Sequence, residues 1–297
     1  MTATSIDLPV PSSQFSNTIA VTRHIFKELR PESYRHPLDR QALMNLEKMP
    51  GLSLLLKKIN EYGIDRLVRL QVQGEDFRVN DANFPALHQA LLEAAAILDV
   101  SPVPELYLHR GTGYIVSYAI GVEQPAIGVN LEAMEWLSHE ELLFLLGHEL
   151  ARVKSGYLAY QQLSIVMPML KTVVSTTTFG LGGLAANGVE VALYNWIVMS
   201  KFTSDRAGLL ACQNLDTAIS TLMKLSGLPH EYLNKQTIDA FETQARQFDV
   251  NSISNLDRLT KIVGFMNYQS PWGVMRASQL LAWADSGEYS RLLEFSI

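Results

Sequence analysis

The sequence has few of the features that mark secreted or nucleic-acid-binding proteins. Its one cysteine, Cys212, cannot form a disulfide within the chain, which fits a reducing compartment such as the cytoplasm. Basic residues are outnumbered, because 24 Lys and Arg stand against 30 Asp and Glu, for a formal net charge of −6. A chain with this charge and no dense basic cluster is not expected to bind nucleic acid.

Long hydrophobic runs and a recognisable secretory signal are also missing. The first residues lack a basic segment followed by an apolar one, although their Ser/Thr-rich, acid-poor composition leaves a short organelle leader as an alternative. The uncharged stretch 172–189 is interrupted by glycine and threonine, and we expect a buried helical hairpin there. The alternative is a peripheral membrane contact through residues 163–199. The predicted location is cytoplasmic, with peripheral attachment to a membrane as the second option.

What the chain does contain is enough apolar sequence, 47%, for one large core. Residues 1–35 show little periodicity and are predicted to be an N-terminal arm, and residues 36–297 a single domain. Helical periodicity dominates, so the predicted class is α+β, helix-dominated, with a small antiparallel sheet. The expected strands lie within residues 66–79, 105–109, 114–122 and 126–129.

The clearest helix is predicted to begin after Ser138. Glu140 and Glu141 would lie in its first turn, where the helix dipole favours anions. Residues 142–146 are apolar on every side, which indicates a buried helix. Further helices are expected at 37–50, 52–62, 81–99, 189–200, 204–225, 230–248, 254–266 and 274–286.

Residues 147–152, in the middle of that helix, read GHELAR. In zinc peptidases the motif HExxH places two histidines one helical turn apart to bind zinc, and the glutamate between them activates water. His148 and Glu149 match this motif, but Arg152 stands where the second histidine belongs. A guanidinium stays protonated and has no lone pair for a metal. Alone, the motif is better interpreted as a buried histidine beside a Glu149–Arg152 pair at i and i+3.

The surrounding segments carry more information than the motif. They read EELLFLLGHELARVKSGY around the helix, KFTSDRAG at 201–208, RASQLLAWADSGEY at 276–289, and RHPLD at 35–39. Over residues 35–293 the chain resembles zinc metallopeptidase family 48, the gluzincins that include HtpX and the CAAX prenyl endopeptidases. The resemblance implies a gluzincin-type metallopeptidase fold, with the small sheet beside the buried zinc helix.

Compared with that family, the chain lacks two of the three zinc ligands that the resemblance implies. His148 keeps the first position, but Arg152 and Lys201 occupy the other two. We therefore predict no zinc and no other cofactor, with His148 a vestigial ligand and Glu149 a vestigial general base. Asp205 matches a family residue that supports a ligand histidine. Glu149, Arg152, Lys201 and Asp205 are predicted to form a counter-charge network in place of the ion.

These losses predict a catalytically inactive metallopeptidase-like protein, a pseudo-peptidase with a binding, assembly or chaperone-like role. The alternative is a zinc-dependent metalloendopeptidase whose atypical site is completed by a partner chain or a distant ligand. In such peptidases an extended peptide pairs with the sheet edge beside the zinc helix, so a protein or peptide partner is expected. The candidate peptide edge comprises Gly121, Val122, Ile127, Gly128 and Val129.

Overall fold

The computed structural model describes residues 23–177, 181–248 and 272–294, without the side chains of 169–177 and 181–186. Helices dominate, as predicted, and a small sheet lies in the first half of the chain. The helices are α1 (Pro31–Tyr34), α2 (Pro37–Glu47), α3 (Leu52–Glu61), α4 (Ile64–Glu75), α5 (Pro85–Ile97), α6 (Leu131–Trp136), α7 (His139–Lys154), α8 (Leu158–Thr177), α9 (Leu181–Cys212), α10 (Leu215–Leu225), α11 (Lys235–Gln247), α12 (Gly273–Asp285) and α13 (Glu288–Glu294), with a 3-10 turn at His230–Tyr232. The strands are β1 (Phe77–Arg78), β2 (Glu105–His109), β3 (Ser117–Ile120) and β4 (Ala126–Asn130).

The sheet is mixed, with strand order β1-β2-β4-β3. β1 is antiparallel to β2 and β3 is antiparallel to β4, but β2 and β4 are parallel, with Glu105 opposite Ala126. The prediction of an antiparallel sheet was therefore wrong for the central pair. The chain leaves β2 for the outer edge, forms β3 there, and turns back at Gly121, whose φ is 84°. That turn inserts β4 between β2 and β3.

The segment 66–79 is mainly helical, where strands were predicted. Ile64, Val68 and Val72 recur at intervals of four residues and face the protein, and Ile64 and Val72 are buried. Leu70, which a strand alternation would bury together with Val68 and Val72, is 54% exposed. The four-residue spacing therefore decided the structure, and only the short strand β1 follows helix α4.

Several predicted helix boundaries also differ from the structure. The helix predicted at 204–225 is interrupted, because α9 ends at Cys212, Gln213 has a φ of 54°, and α10 begins at Leu215. The helix predicted at 230–248 begins at Lys235, after the 3-10 turn. No break occurs between residues 200 and 204, because α9 continues through Phe202 and Thr203, which are buried. The helix predicted from residue 81 begins at Pro85, since the Asn80 carboxamide accepts N–H bonds from the turn that precedes the helix. The helix predicted at 254–266 lies outside the described residues.

The uncharged stretch 172–189 spans the end of α8 at Thr177 and the start of α9 at Leu181, which agrees with a helical hairpin. Most of the side chains whose burial was predicted there lie outside the described residues. Within the part of the chain that the structure describes, no helix combines the length and the apolar character that crossing a bilayer requires.

Helix α7 is buried, as predicted. Ser138 Oγ accepts the N–H of Glu141, and the Glu141 carboxylate accepts the N–H of Ser138, so a capping box sets the helix start. The side chains of 142–146 are buried, and the helix packs on α5, α9 and β3. A Cβ added to Gly147 would lie 2.6 Å from the Cβ of Ala211. This close approach to α9 sets the spacing between the two helices that carry the motif residues.

A buried carboxylate ties α2 to α9 near the same place. Asp39 accepts hydrogen bonds from Thr203 Oγ1 at 2.6 Å, Tyr157 Oη at 2.6 Å and Trp196 Nε1 at 3.0 Å. Burial raises the pKa of Asp39 while these donors oppose the shift. Two of the donors lie on α9, so Asp39 helps to position that helix beside α7.

The residues before α2 lie against the main core. Phe26, Leu29 and Tyr34 are buried there. Residues 1–22 lie outside the described part of the chain, and the division into an arm over 1–35 and a domain over 36–297 stays a prediction.

Candidate functional site

The motif histidine is held by a buried chain of three residues. His148 Nδ1 lies 2.8 Å from Asp205 Oδ1, and Arg276 donates to both oxygens of that carboxylate, from Nη2 at 2.6 Å and from Nε at 2.8 Å. Burial alone would raise the pKa of Asp205, but the Arg276 guanidinium outweighs it and holds that pKa well below its usual range. Charge-assisted bonds therefore connect α7, α9 and α12 through one carboxylate.

His148 is neutral in this environment. Burial, followed by the positive charge of Arg152, lowers its pKa to about 4. Because the ionised Asp205 can only accept, the ring proton lies on Nδ1 and the lone pair on Nε2. The histidine thus keeps the tautomer and the support that a single metal ligand would need.

Glu149 is 1% exposed and receives donors from two directions. Ser117 Oγ donates to its Oε1 at 2.6 Å. Arg152 Nη1 lies 3.1 Å from Oε2 and 3.4 Å from Oε1. The oxygens that would take a proton from water in a peptidase are therefore already bonded to a hydroxyl and a guanidinium.

Lys201 belongs to the same group of charges, one helical turn before Asp205 on α9. Burial lowers the pKa of its amine to about 7, the charges of Arg276 and Arg152 act in the same direction, and Asp205 and Glu149 oppose them. The centre therefore combines three basic side chains with two carboxylates.

The four residues of the predicted counter-charge network come together. Arg152 contacts Glu149, and the charges of Asp205 and Glu149 both act on Lys201. The structure adds Arg276, whose guanidinium contacts Asp205. Arg276 stands first in the RASQLL segment. A buried arginine requires an anionic partner, so the sequence did contain a signal for this residue.

Two further members of the site have no such signal. Ser117 reaches Glu149 only because β3 lies beside α7. Gln161, on α8, satisfies both ends of its carboxamide in one orientation, with Oε1 3.1 Å from Arg152 Nε and Nε2 3.1 Å from the carbonyl oxygen of Ala119. Both contacts join elements that are distant in sequence.

The residues present do not fit a resident zinc ion. A catalytic zinc has three protein ligands, and of the three family positions only His148 carries an ordinary ligand, beside Arg152 and Lys201. Among the described residues, no group of three or more His, Cys, Asp or Glu side chains is arranged to hold a metal.

The predicted peptide edge is only partly at an edge. β4 is paired with β2 on one side and with β3 on the other, so its backbone groups cannot accept an added strand. Gly121 and Val122 follow β3, which is the true edge, and the exposed Val122 donates its N–H to Asp65. The prediction was wrong for the three residues in β4, which the turn after β3 inserts into the sheet: Ile127, Gly128 and Val129.

Comparison with known proteins agrees with this architecture. The model of peptidase family M48 matches residues 81–283. The chain belongs to peptidase family M48. This M48 protein is 30% identical over 276 residues to "Plastoglobule-localized metallopeptidase 48, chloroplastic" of Arabidopsis thaliana, across 93% of this chain and 79% of that protein. No solved structure matches this chain significantly. The family and fold class predicted from the sequence are confirmed.

Proposed function

We propose that this M48 protein is a pseudo-peptidase that binds protein or peptide partners without cleaving them, as an assembly or chaperone-like factor. The observation that carries the proposal is the contact of Arg152 Nη1 with Glu149 Oε2 at 3.1 Å. In an active family member, a zinc ligand would stand at position 152 and the glutamate would take the proton of zinc-activated water. Here position 152 supplies a cation instead, and the Arg152 guanidinium pairs with the Glu149 carboxylate.

The charges of the centre support the same proposal. Arg152 brings a permanent positive charge to one position where the family has a zinc ligand, and Lys201, whose amine has a pKa of about 7, brings a partial positive charge to another. Asp205 keeps its bond to His148 and is compensated by Arg276. A centre whose two carboxylates are both paired with guanidinium groups can hold α7, α9 and α12 together without an ion, which fits a retained fold with altered chemistry.

The first experiment measures metal and catalysis together. We expect purified protein to contain well under one zinc per chain by elemental mass spectrometry, and to leave β-casein intact with and without 1,10-phenanthroline. Stoichiometric zinc together with chelator-sensitive cleavage would refute the proposal. Binding is measured with reduced carboxymethylated α-lactalbumin, a permanently unfolded chain, by fluorescence anisotropy, and saturable binding is expected.

A pair of reversions tests whether Arg152 and Lys201 explain the proposed loss of zinc binding. We expect the double variant Arg152→His, Lys201→Glu to gain zinc, because it restores three ligands with His148. Each single reversion should gain little, since one ligand is still missing. Lys57→Glu, which changes the same charge at an exposed site, is the control for Lys201→Glu and should bind no zinc.

The alternative function is a zinc metalloendopeptidase completed by a partner. One observation favours it: Asp205 still supports His148, whose Nε2 keeps its lone pair, and the amine of Lys201 has a pKa of about 7. A neutral amine could bind a metal, so the three family ligand positions supply two donors, and a partner chain or a distant ligand would have to bring a third. Zinc that binds only in a co-purified complex would support this alternative.

We also propose peripheral attachment to a lipid surface through residues 163–199. The relative in Arabidopsis is named for plastoglobules and chloroplasts, so a plastid is a second candidate compartment beside the predicted cytoplasm. Within this stretch Ile165 is 58% exposed. Flotation with liposomes of neutral phospholipid tests the contact, and Ile165→Asp should reduce flotation if this helix touches the lipid.

A further inference from the structure

Strand β3 is the outer edge of the sheet, and its backbone groups divide between two sides. The carbonyl oxygen of Val116 accepts the N–H of Asn130 at 3.1 Å, which sets the phase of the ladder with β4. In an antiparallel ladder every second residue bonds to the neighbouring strand. The backbone groups of Ser117 and Ala119 therefore face away from β4, where an added strand would pair.

One of these outward backbone groups, the carbonyl oxygen of Ala119, is bonded to the rest of the protein, and Ser117 contributes its side chain. Ser117 Oγ donates to Glu149, and Glu149 accepts from Arg152 Nη1. With the Gln161 carboxamide in the orientation that satisfies both of its ends, Gln161 Oε1 accepts from Arg152 Nε and Gln161 Nε2 donates to the carbonyl oxygen of Ala119. These bonds form a closed circuit, which we call the edge ring. It begins and ends on β3 and passes through α7 and α8.

The identity of residue 152 determines whether this ring can form. An arginine has separate N–H groups for Glu149 and for Gln161, whereas a neutral histidine has only one N–H. The substitution that removes the second zinc ligand therefore also supplies the donor that orients Gln161. Ala119 and Glu149 are almost fully buried, at 3% and 1%, and the Arg152 side chain is 13% exposed at the outside of the ring.

We infer that the edge ring closes the outward edge of β3, and that a polypeptide can pair with β3 only after Gln161 leaves the Ala119 carbonyl. The inference rests on the proposed binding function and adds how binding is regulated. The Gln161 side chain acts as a latch that blocks pairing with β3. An extended chain would replace the Gln161 amide with its own backbone N–H, so the exchange conserves hydrogen bonds and an added strand competes directly with the latch.

Two substitutions of Gln161 test the latch. Gln161→Ala removes both contacts, and Gln161→Glu keeps an acceptor for Arg152 but loses the donor to Ala119. Gln41→Ala, at an exposed glutamine of α2, is the matched control. Hydrogen–deuterium exchange of the peptide covering β3 is compared with the peptide covering β2, and anisotropy measures binding of reduced carboxymethylated α-lactalbumin.

We expect both Gln161 variants to raise exchange at β3 by about fivefold without a change at β2, and to tighten probe binding by about fivefold, the ratio that one net hydrogen bond represents. Unchanged exchange at β3 would show that Gln161 does not close the edge of β3. Faster exchange at β3 with an unchanged affinity for the probe would show that Gln161 does not regulate binding. Faster exchange with no probe binding by any form, wild type included, would leave the closure standing and refute the proposed binding function instead.

Discussion

Arg152 Nη1 lies 3.1 Å from Oε2 of Glu149, at i and i+3 on one buried helix. The pair places a permanent cation against the one carboxylate that peptidase chemistry would require as a base. Removing either partner alone leaves a buried, uncompensated charge, which costs more than removing both. The interaction between Arg152 and Glu149 can therefore be measured by comparing single and double variants.

The first prediction is a double-mutant cycle on this pair. Arg152→Met should lower the free energy of unfolding by about 3 kcal/mol, because Glu149 remains buried without its guanidinium. The double variant Arg152→Met, Glu149→Gln should recover most of that loss, because neither charge remains. Urea unfolding of the wild type, the two single variants Arg152→Met and Glu149→Gln, and the double variant yields the coupling energy. Additive effects would mean that Arg152 and Glu149 do not interact in solution.

The second prediction concerns the two-point contact of Arg276 with Asp205. Arg276→Lys should lower the free energy of unfolding by about 2 kcal/mol, since an ammonium cannot donate to both carboxylate oxygens in the planar geometry of a guanidinium. Arg291→Lys on the exposed α13 should change it by less than about 0.5 kcal/mol. Equal effects at the two sites would show that the buried contact is not specific for arginine.

The third prediction is a loss of stability on acidification that depends on His36. Burial and the charge of Arg206 lower its pKa from 6.5 to about 3. Below pH 6.5 the unfolded chain therefore takes up a proton that the folded chain refuses. This histidine alone should reduce stability by about 1.4 kcal/mol per pH unit between roughly pH 6 and pH 4.

The test replaces His36 by asparagine, which can still accept the N–H of Leu38 at the helix start. The variant should lose stability less steeply with falling pH, by about 1.4 kcal/mol per unit. His230→Asn, at an exposed histidine, should leave the slope unchanged. If the two variants show the same slope, His36 is not responsible.

The fourth prediction concerns the crossing of α7 and α9. Gly147→Ala should lower the free energy of unfolding by about 2 kcal/mol, because the added Cβ meets Ala211 at 2.6 Å and the Ala207 carbonyl at 3.1 Å. Gly74→Ala, in helix α4 with no atom within 4 Å of the new Cβ, should instead stabilise by about 0.5–1 kcal/mol. Thermal unfolding tests this directly, because the two variants should shift the melting temperature in opposite directions.

Several features of the site were accessible from sequence because they depend on local spacing. His148 and Glu149 belong to one helix whose capping box and apolar face are written in consecutive residues. Arg152 follows Glu149 by three positions, which on a helix brings the two side chains together. The resemblance of segment 201–208 to a family motif predicts that Lys201 stands at a ligand position. The α+β class likewise followed from periodicity.

Other features were not accessible because they depend on the order in which strands are placed. A strand pattern does not show whether the strand lies at the edge or in the centre, so the sequence predicts an edge where the structure places the central strand β4. Residues 66–79 contain both a two-residue and a four-residue spacing, and burial against the sheet selected the helix. Gln161 and Ser117 have no distinguishing neighbours, and both reach the site from separate elements.

The sequence by itself determined the family and the helix that carries the motif, and it places Arg152 and Lys201 where the family resemblance implies two zinc ligands, since these are properties of residue identity and short-range spacing. Only the tertiary structure decided which partners those cations have. Arg276 compensates Asp205, and Gln161 connects Arg152 to the sheet edge, because buried charges and amides bond to whatever groups the packing of α7, α8, α9 and α12 brings within about 3 Å.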